Sequence, residues 1–434
     1  MDNKRSLGFW SVVAIGIGGM VGGGIFAVLG LAVQLAQGGT FLAFSLAGIV
    51  ALLTAYSYAR LSVTYPCQGG TVEFLNQGFG PGLFTGSLNI LLWISYIIML
   101  SLYAYAFGSY GASFFPSAAQ PLLKHILISG VILLFTGLNV LGTTFVGKAE
   151  EWVVGLKIII LLVFIGGGIW SLQFHRLGPS AWASTPQLVA GGMIIFLAYE
   201  GFELISNAAG DVHKPQKTLP RAFYTSVIFV ILLYILISVI TVGNLPLDQI
   251  VAAKDYALAE SAKPFLGSLG FGLIGFAALL STGSAINATL YGTARVSYII
   301  AKDGELPTVL EKNVWNRPIE GLLITTGATL IIANIFNLSS ISMMGSTGFL
   351  IIFAAVNSAN FRLYKKTVSH KWISFIGVIV CLAALGTLIW ERMQNSFQDL
   401  WILLILVGSA FIIEVVYQRV TGRRLHPFFS KKKR

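Results

Sequence analysis

The chain has 434 residues, of which 56% are hydrophobic and only 10% are charged. A soluble domain carries roughly 25% charged residues, so this composition cannot cover a water-facing surface and argues against a large soluble enzyme. The net charge of +11 does not call for a nucleic-acid partner, because membrane proteins concentrate lysine and arginine in the loops on one side of the bilayer.

Twelve segments have the roughly 20 mostly apolar residues that a transmembrane helix needs. We number them spans one to twelve, with predicted limits 9–33, 41–62, 83–113, 121–144, 149–171, 187–209, 222–243, 268–300, 320–337, 342–362, 372–390 and 398–418. The sequence therefore predicts an all-α integral membrane protein. Cys67 and Cys381 lie far apart and near no histidine or carboxylate cluster, so we expect neither a disulfide nor a metal site.

The distribution of basic residues predicts the orientation. With a cytoplasmic N-terminus, inside segments hold 22 of the 28 lysines and arginines, and outside segments hold five. This asymmetry predicts a multi-pass protein of the plasma membrane with both termini in the cytoplasm. We expect the basic tail, 419–434, to meet anionic lipid headgroups through Lys431–Arg434.

Span one contains three consecutive glycines, Gly22, Gly23 and Gly24. Glycine is a poor helix former, so the run predicts an unwound point whose free backbone groups face a cavity. The alternative is close packing of intact helices through small residues.

Span six contains Gly201 between two carboxylates, Glu200 and Glu203. Charge at membrane depth is costly and marks function by default. Interrupted helices at matching positions of two repeats indicate a transporter binding site. The N-termini of the half-helices would hold a carboxylate and their C-terminal carbonyls an ammonium, which are the two charged ends of an α-amino acid. Alternatively, Glu203 bonds to freed backbone amides and is structural.

At these motifs, Gly16–Phe26 and Phe196–Asn207, and in the loop Asp211–Ala222, the chain resembles the amino acid, polyamine and organocation (APC) superfamily. The resemblance covers nearly the whole chain. It implies a LeuT-like fold with a five-plus-five inverted repeat, 1–171 and 187–362, followed by two accessory helices in 372–418. Spans one and six would be the broken helices.

Within the superfamily, the segments 263–271, 287–292 and 301–307 resemble archaeal broad-specificity, proton-coupled amino acid transporters. The resemblance implies that the amine of Lys157 replaces a bound sodium ion between spans one and eight. Four residues would form this proton-coupling site: Lys157, Gly18, Ser281 and Ser284. Nine would form the substrate site: Gly22, Gly23, Gly24, Ile25, Phe196, Ala198, Tyr199, Glu200 and Glu203.

Four of these residues carry qualifications. Phe196 and Tyr199 are expected either to gate the site by packing over the substrate or to be ordinary aromatic core. Glu200 departs from the archaeal transporters, which are apolar at that position, so their substrate range does not carry over directly. Glu203 matches an acidic position of many superfamily members, although not of the archaeal transporters.

Lys157 is the one lysine inside a predicted span, among apolar neighbours. Holding a charge at that depth costs about 3 kcal/mol on insertion scales. The position therefore indicates an amine that takes up and releases a proton during transport. The alternative is a lysine whose long stem lets the ammonium reach the membrane surface.

The sequence predicts a secondary transporter, because it has no phosphate-binding Gly-x-x-x-x-Gly-Lys-Ser/Thr loop. We expect proton-coupled symport of mainly neutral amino acids, with the proton gradient as energy source and no cofactor. The alternatives are a proton-independent exchanger and a transporter of cationic amino acids or polyamines.

An enzyme is disfavoured because all five histidines lie at loops or span ends, and a channel because no filter motif is present. The loop 115–124 has no cysteine for a disulfide-linked subunit.

Overall fold

The computed structural model describes residues 7–67, 69–141, 146–302, 319–395 and 399–421, with side chains omitted at 146–151 and at a few helix ends. Within these ranges, ten helices are long and apolar enough to cross a membrane, and a bent pair counts as one more. The shorter apolar helix Ile319–Ile335 completes the set of twelve. The all-α prediction is confirmed, and Lys431–Arg434 lie outside the described residues.

The observed spans follow the predicted ones closely. Their bounds are Phe9–Met20 with Gly24–Ala36 (one), Thr40–Thr64 (two), Leu83–Ala112 (three), Gln120–Leu141 (four), Val146–Gly168 (five), Thr185–Ile194 with Leu204–Asn207 (six), Pro215–Asn244 (seven), Lys263–Lys302 (eight), Ile319–Ile335 (nine), Leu338–Arg362 (ten), Lys371–Asn395 (eleven) and Asp399–Thr421 (twelve). Both predicted breaks, in spans one and six, are present.

Short helices outside the spans were not predicted. Thr71–Phe79 lies between spans two and three, and Leu247–Ala253 and Ala257–Glu260 lie between spans seven and eight. A search for apolar segments of membrane length passes over elements of this size. We call the end of the bundle that bears Thr71–Phe79 and the loops after spans six and ten the basic face.

Span one breaks where the glycine run begins. Its first half ends at Met20, a turn follows, and the second half starts at Gly24, with a bend of 45° between the two halves. The close approach of span six explains why small residues are needed here. A Cβ on Gly19 would lie 2.7 Å from the Gly201 carbonyl oxygen.

Span six unwinds more extensively. Its first α-helix ends at Ile194 and continues as a 3₁₀ turn to Tyr199, after which Glu200 is extended, with φ −63° and ψ 148°. Gly201 then takes a φ of +116°, which glycine adopts without steric cost. The α-helix that resumes has only four residues, Leu204–Asn207.

The segment between spans seven and eight covers the face opposite the basic face. Its Asp255 forms an ion pair of 2.9 Å with Lys124 at the start of span four. The Lys124 ammonium lies 3.5 Å from the centroid of the Tyr105 ring, and Ser109 donates a hydrogen bond to Asp255 at 3.3 Å. These contacts hold the segment between spans seven and eight against spans three and four.

A polar seam joins spans two, ten and eleven inside the bundle. The amide of Asn357 donates to Thr54 at 3.1 Å and to the sulfur of Cys381 at 3.7 Å. One turn along, Asn360 donates to Ser374 at 2.8 Å. All five side chains are fully buried, and such bonds hold helices together in membranes.

Candidate functional site

The two breaks meet at the centre of the bundle, with spans three and eight packed against them. A Cβ on Gly24 would lie 2.7 Å from the Cα of Ala198 in span six. A Cβ on Gly23 would collide with the ring of Tyr103 in span three, and one on Gly22 would lie 2.9 Å from Ala285 in span eight. The three glycines therefore let three different neighbours approach the unwound backbone.

Carbonyl groups freed by the break in span one are bound by side chains from three other spans. Lys157 of span five donates to Gly18 at 3.2 Å. Tyr234 of span seven donates to Met20 at 2.7 Å, and Ser281 of span eight donates to Val21 at 2.7 Å. A freed carbonyl in lipid costs several kcal/mol when unsatisfied, so these three side chains make the break tenable.

Span six is held in the same way. The carbonyl of Ile194 accepts hydrogen bonds from Ser342 at 2.6 Å and from Ser346 at 2.9 Å, both in span ten. The carbonyl of Ala198 accepts a bond from Tyr234 at 3.2 Å. Because Tyr234 also binds span one, its hydroxyl group joins the two breaks directly.

Lys157 is 1% exposed, so its ammonium does not reach the membrane surface. Its contact with the Gly18 carbonyl places it on the first half of span one, as the superfamily resemblance implied. Ser281 is also brought to span one, whereas Ser284 lies about one helical turn further along span eight and is half-buried. The coupling role of these residues stays a prediction.

Glu203 bridges the break in span six and span three. One carboxyl oxygen accepts the backbone N–H of Gly201 at 2.8 Å, and the other accepts the hydroxyl of Tyr96 at 3.3 Å. A carboxylate that accepts a backbone amide at an unwound point satisfies a donor that the helix has lost. The geometry fits the structural alternative for Glu203 and adds a link across the bundle.

The remaining predicted substrate residues are all buried at this crossing. Glu200 is 2% exposed and Glu203 is 1% exposed, so both carboxyl groups lie inside the bundle. The hydroxyl of Tyr199 donates to the Phe44 carbonyl of span two at 2.9 Å. Phe196 packs edge-on against Phe353 of span ten, with centroids 5.9 Å apart. Ile25 and Ala198 are fully buried.

Sequence reasoning missed three tyrosines: Tyr96, Tyr103 and Tyr234. Each lies in a long apolar span, where an aromatic residue is interpreted as core. A usable signal exists, because a buried tyrosine hydroxyl usually needs a hydrogen-bond partner, and a break nearby supplies free carbonyl groups. Which tyrosine meets which break depends on how the spans pack.

Comparison with known proteins places this site in a family. A sequence model of the amino acid permease family matches residues 7–411. The chain belongs to this family. An uncharacterized protein of Methanocaldococcus jannaschii is 36% identical over 431 residues, which cover 98% of this chain and 97% of that protein. An inner membrane transport protein of Escherichia coli is 34% identical over 424 residues, which cover 97% and 98% of the two chains.

A branched-chain amino acid permease of Bacillus subtilis is 26% identical over 325 residues, which cover 71% of this chain and 70% of the permease. These findings confirm the APC superfamily, the LeuT-like fold class with its broken first and sixth helices, and the transporter rather than enzyme class. The protein is an amino acid permease of the membrane.

Replacing Tyr234 with phenylalanine removes one hydroxyl group from two freed carbonyls. We expect a loss of about 1–3 kcal/mol in stability, the penalty for buried unsatisfied groups, together with a large loss of transport. Thermal unfolding in detergent and uptake into proteoliposomes measure the two effects. Tyr110→Phe is the matched control, because its hydroxyl binds the carbonyl of Phe26 within an intact helix. Equal effects of the two substitutions would contradict a special role for Tyr234.

Replacing Gly24 with alanine places a methyl group against the backbone of Ala198. Overpacking of this kind costs typically about 1–3 kcal/mol, and here it would separate the two breaks. We expect uptake to fall at least about tenfold while expression is retained. Gly130→Ala in span four is the control, because nothing lies within 4 Å of its added Cβ. Wild-type uptake by the Gly24 variant would favour ordinary helix packing.

Proposed function

We propose that this permease imports mainly neutral amino acids together with protons, by alternating access. The observation that carries the proposal is the buried amine of Lys157, which donates to the freed carbonyl of Gly18 at 3.2 Å. A positive charge at that point binds span one more tightly than a neutral amine, because a hydrogen bond from a charged donor is roughly twice as strong. Protonation of Lys157 therefore changes how firmly span one is held.

The breaks supply groups suited to the charged ends of an α-amino acid. The N–H groups at the start of Gly24–Ala36 and the positive end of its helix dipole favour the substrate carboxylate. Free carbonyl lone pairs at the break favour the ammonium. A neutral side chain fits the apolar surroundings, which include the rings of Tyr103 and Phe196. The branched-chain permease of Bacillus subtilis supports a neutral substrate.

Alternating access requires spans one and six to shift against spans three, five and eight. In the described part of the chain, three hydrogen bonds to the unwound segments cross that boundary: Lys157 to Gly18, Ser281 to Val21, and Tyr96 to Glu203. Each must weaken or re-form when the site opens to the other side. Because Lys157 is the donor among them that gains a positive charge when it takes up a proton, its proton can link the direction of opening to the proton gradient.

The proton gradient supplies sufficient energy without a cofactor. A proton that crosses a potential of about 150 mV yields roughly 3.5 kcal/mol, enough for two to three decades of substrate accumulation. We infer from the basic-residue asymmetry that the basic face is cytoplasmic, that both termini lie there, and that the protein resides in the plasma membrane. Amino acid, proton and membrane lipids are then its partners, without a disulfide-linked subunit.

Replacing Lys157 with alanine tests the coupling. We expect the variant to lose proton-driven accumulation yet to keep exchange of labelled for unlabelled substrate, because the glycine breaks remain. Uptake into proteoliposomes, with and without an inward pH gradient and without sodium, measures both activities. Lys217→Ala, at an exposed position of the basic face, is the control and should accumulate substrate normally.

Two results would overturn the coupling role. Wild-type accumulation by Lys157→Ala would show that the amine is not the coupling group. Uptake that depends on sodium at zero pH gradient would show that the driving ion is not the proton.

A second candidate, transport of cationic amino acids or polyamines, is favoured by the buried carboxyl groups of Glu200 and Glu203. In Glu200→Gln the shape is kept and the charge is lost. If Glu200 pairs with a cationic side chain, binding of cationic substrates should weaken about tenfold or more, since a charged hydrogen bond contributes roughly 1.5–3 kcal/mol. Small neutral amino acids should be nearly unaffected. Competition of each class against a labelled substrate measures the difference, and equal weakening of both, or of neither, rules out selection by Glu200.

A further inference from the structure

The loop between spans ten and eleven carries a cluster of positive charge that the transport cycle described above does not use. Residues 362–372, here called the basic turn, contain Arg362, Lys365, Lys366 and Lys371. The chain has no acidic residue between Glu320 and Glu391. These four charges therefore have no acidic neighbour in sequence, and the exposed side chains among them are turned to the surroundings of the basic face.

The basic turn has a fixed conformation. The hydroxyl of Thr367 donates to Ser369 at 2.9 Å, and that of Ser369 to the amide oxygen of Asn360 in span ten at 3.4 Å. The backbone N–H of His370 donates to the hydroxyl of Tyr56 in span two at 2.6 Å. Thr367 is buried while its neighbours on both sides are exposed. These hydrogen bonds therefore fix the backbone that carries the lysines.

Two lysines of the basic turn lie close to aromatic rings. Lys365 and Lys371 both lie near the ring of Tyr364, with their nitrogen atoms 6.0 and 5.9 Å from its centroid. Lys371 is also 5.2 Å from the centroid of Trp372. The face of an aromatic ring attracts a cation at these distances. Two ammonium groups held around one ring repel each other, and an anion between them removes that repulsion.

The tip of the basic turn is strained and apolar. Val368 has a φ of +49°, which is a genuine outlier for a β-branched residue, and its side chain is 78% exposed. Trp372, also on this face, is 63% exposed. A strained residue persists only where its surroundings fix it, and such an outlier indicates function. Exposed valine and tryptophan beside lysines suit the interface between acyl chains and headgroups.

We propose that the basic turn binds the phosphate headgroup of an anionic phospholipid. Lys365 and Lys371 contact the phosphate, Lys366 adds to the attraction, and Val368 and Trp372 insert into the interface beside it. The site is separate from the C-terminal basic tail. With the proposed orientation it faces the cytoplasmic leaflet, which is the anionic one. Through Asn360 and Tyr56, the bound lipid would brace spans ten and two.

Native mass spectrometry of the full-length protein tests the proposal, with phosphatidylglycerol and phosphatidylcholine as the two probes. We expect phosphatidylglycerol to bind more tightly. In the triple variant Lys365→Gln, Lys366→Gln, Lys371→Gln, its binding should weaken at least about tenfold, since each basic residue near an anionic surface contributes roughly fivefold. The control triple Lys214→Gln, Lys217→Gln, Arg221→Gln removes the same charge from the start of span seven, also on the basic face, and should weaken binding less than about twofold.

Three outcomes would overturn the proposal. Equal losses in the two triple variants would show general attraction by net charge. Equal binding of the two lipids would show that the headgroup is not recognised. Displacement of phosphatidylglycerol by inorganic phosphate at the same concentration would show a site for free anions instead of a lipid surface.

The tip offers a separate test. Asparagine tolerates a positive φ, so Val368→Asn keeps the turn while removing its apolar tip. We expect phosphatidylglycerol binding to weaken about threefold or more, with unfolding temperature in detergent unchanged or raised. Unchanged lipid binding together with a raised unfolding temperature would show that Val368 has no interfacial role and would remove it from the proposed site.

Discussion

Every backbone N–H and C=O group that a broken helix frees inside a membrane must find a partner within the protein. The centre of this permease is arranged around that constraint. Lys157, Ser281 and Tyr234 bind carbonyls of span one, two serines of span ten bind span six, and Glu203 accepts a freed amide. Because the donors come from four different spans, the breaks determine which helices must pack around them.

The same constraint allows hydrogen bonds at the breaks to change partners. A hydrogen bond inside an intact helix has no reason to change during transport, whereas a carbonyl at a break can exchange one partner for another. In the proposed mechanism, substrate, lysine and tyrosine compete for, or share, a small set of backbone groups. The proposed proton on Lys157 and the proposed amino acid at the glycine run would act on the same segment of span one, at residues fewer than two helical turns apart. Coupling between them needs no long pathway through the protein.

Much of this architecture could be predicted from the sequence, since length and hydrophobicity alone determine whether a segment can span a bilayer. The twelve spans and the breaks at Gly22–Gly24 and Gly201 follow from that rule and from the poor helix propensity of glycine. Tyr96 and Tyr234 could not be assigned, because Glu203 and Met20, to which they donate, each lie more than 100 residues away in sequence and the pairing depends on packing. The nine-residue helix Thr71–Phe79 was missed because it is far too short for a membrane segment.

The polar seam between spans two, ten and eleven affects whether a transporter of this kind can lose its last two helices. The amides of Asn357 and Asn360 are fully buried, and span eleven supplies partners to both through Cys381 and Ser374. Removal of the two helices beyond the predicted repeats would take one hydrogen-bond partner from each amide and leave only the partners in span two, and a polar group that loses a partner in an apolar environment is destabilised. The buried amides of span ten therefore depend on span eleven for part of their hydrogen bonding. A ten-helix version would be more stable with both asparagines exchanged for apolar residues, so the last two helices and these two side chains are expected to be retained or lost together.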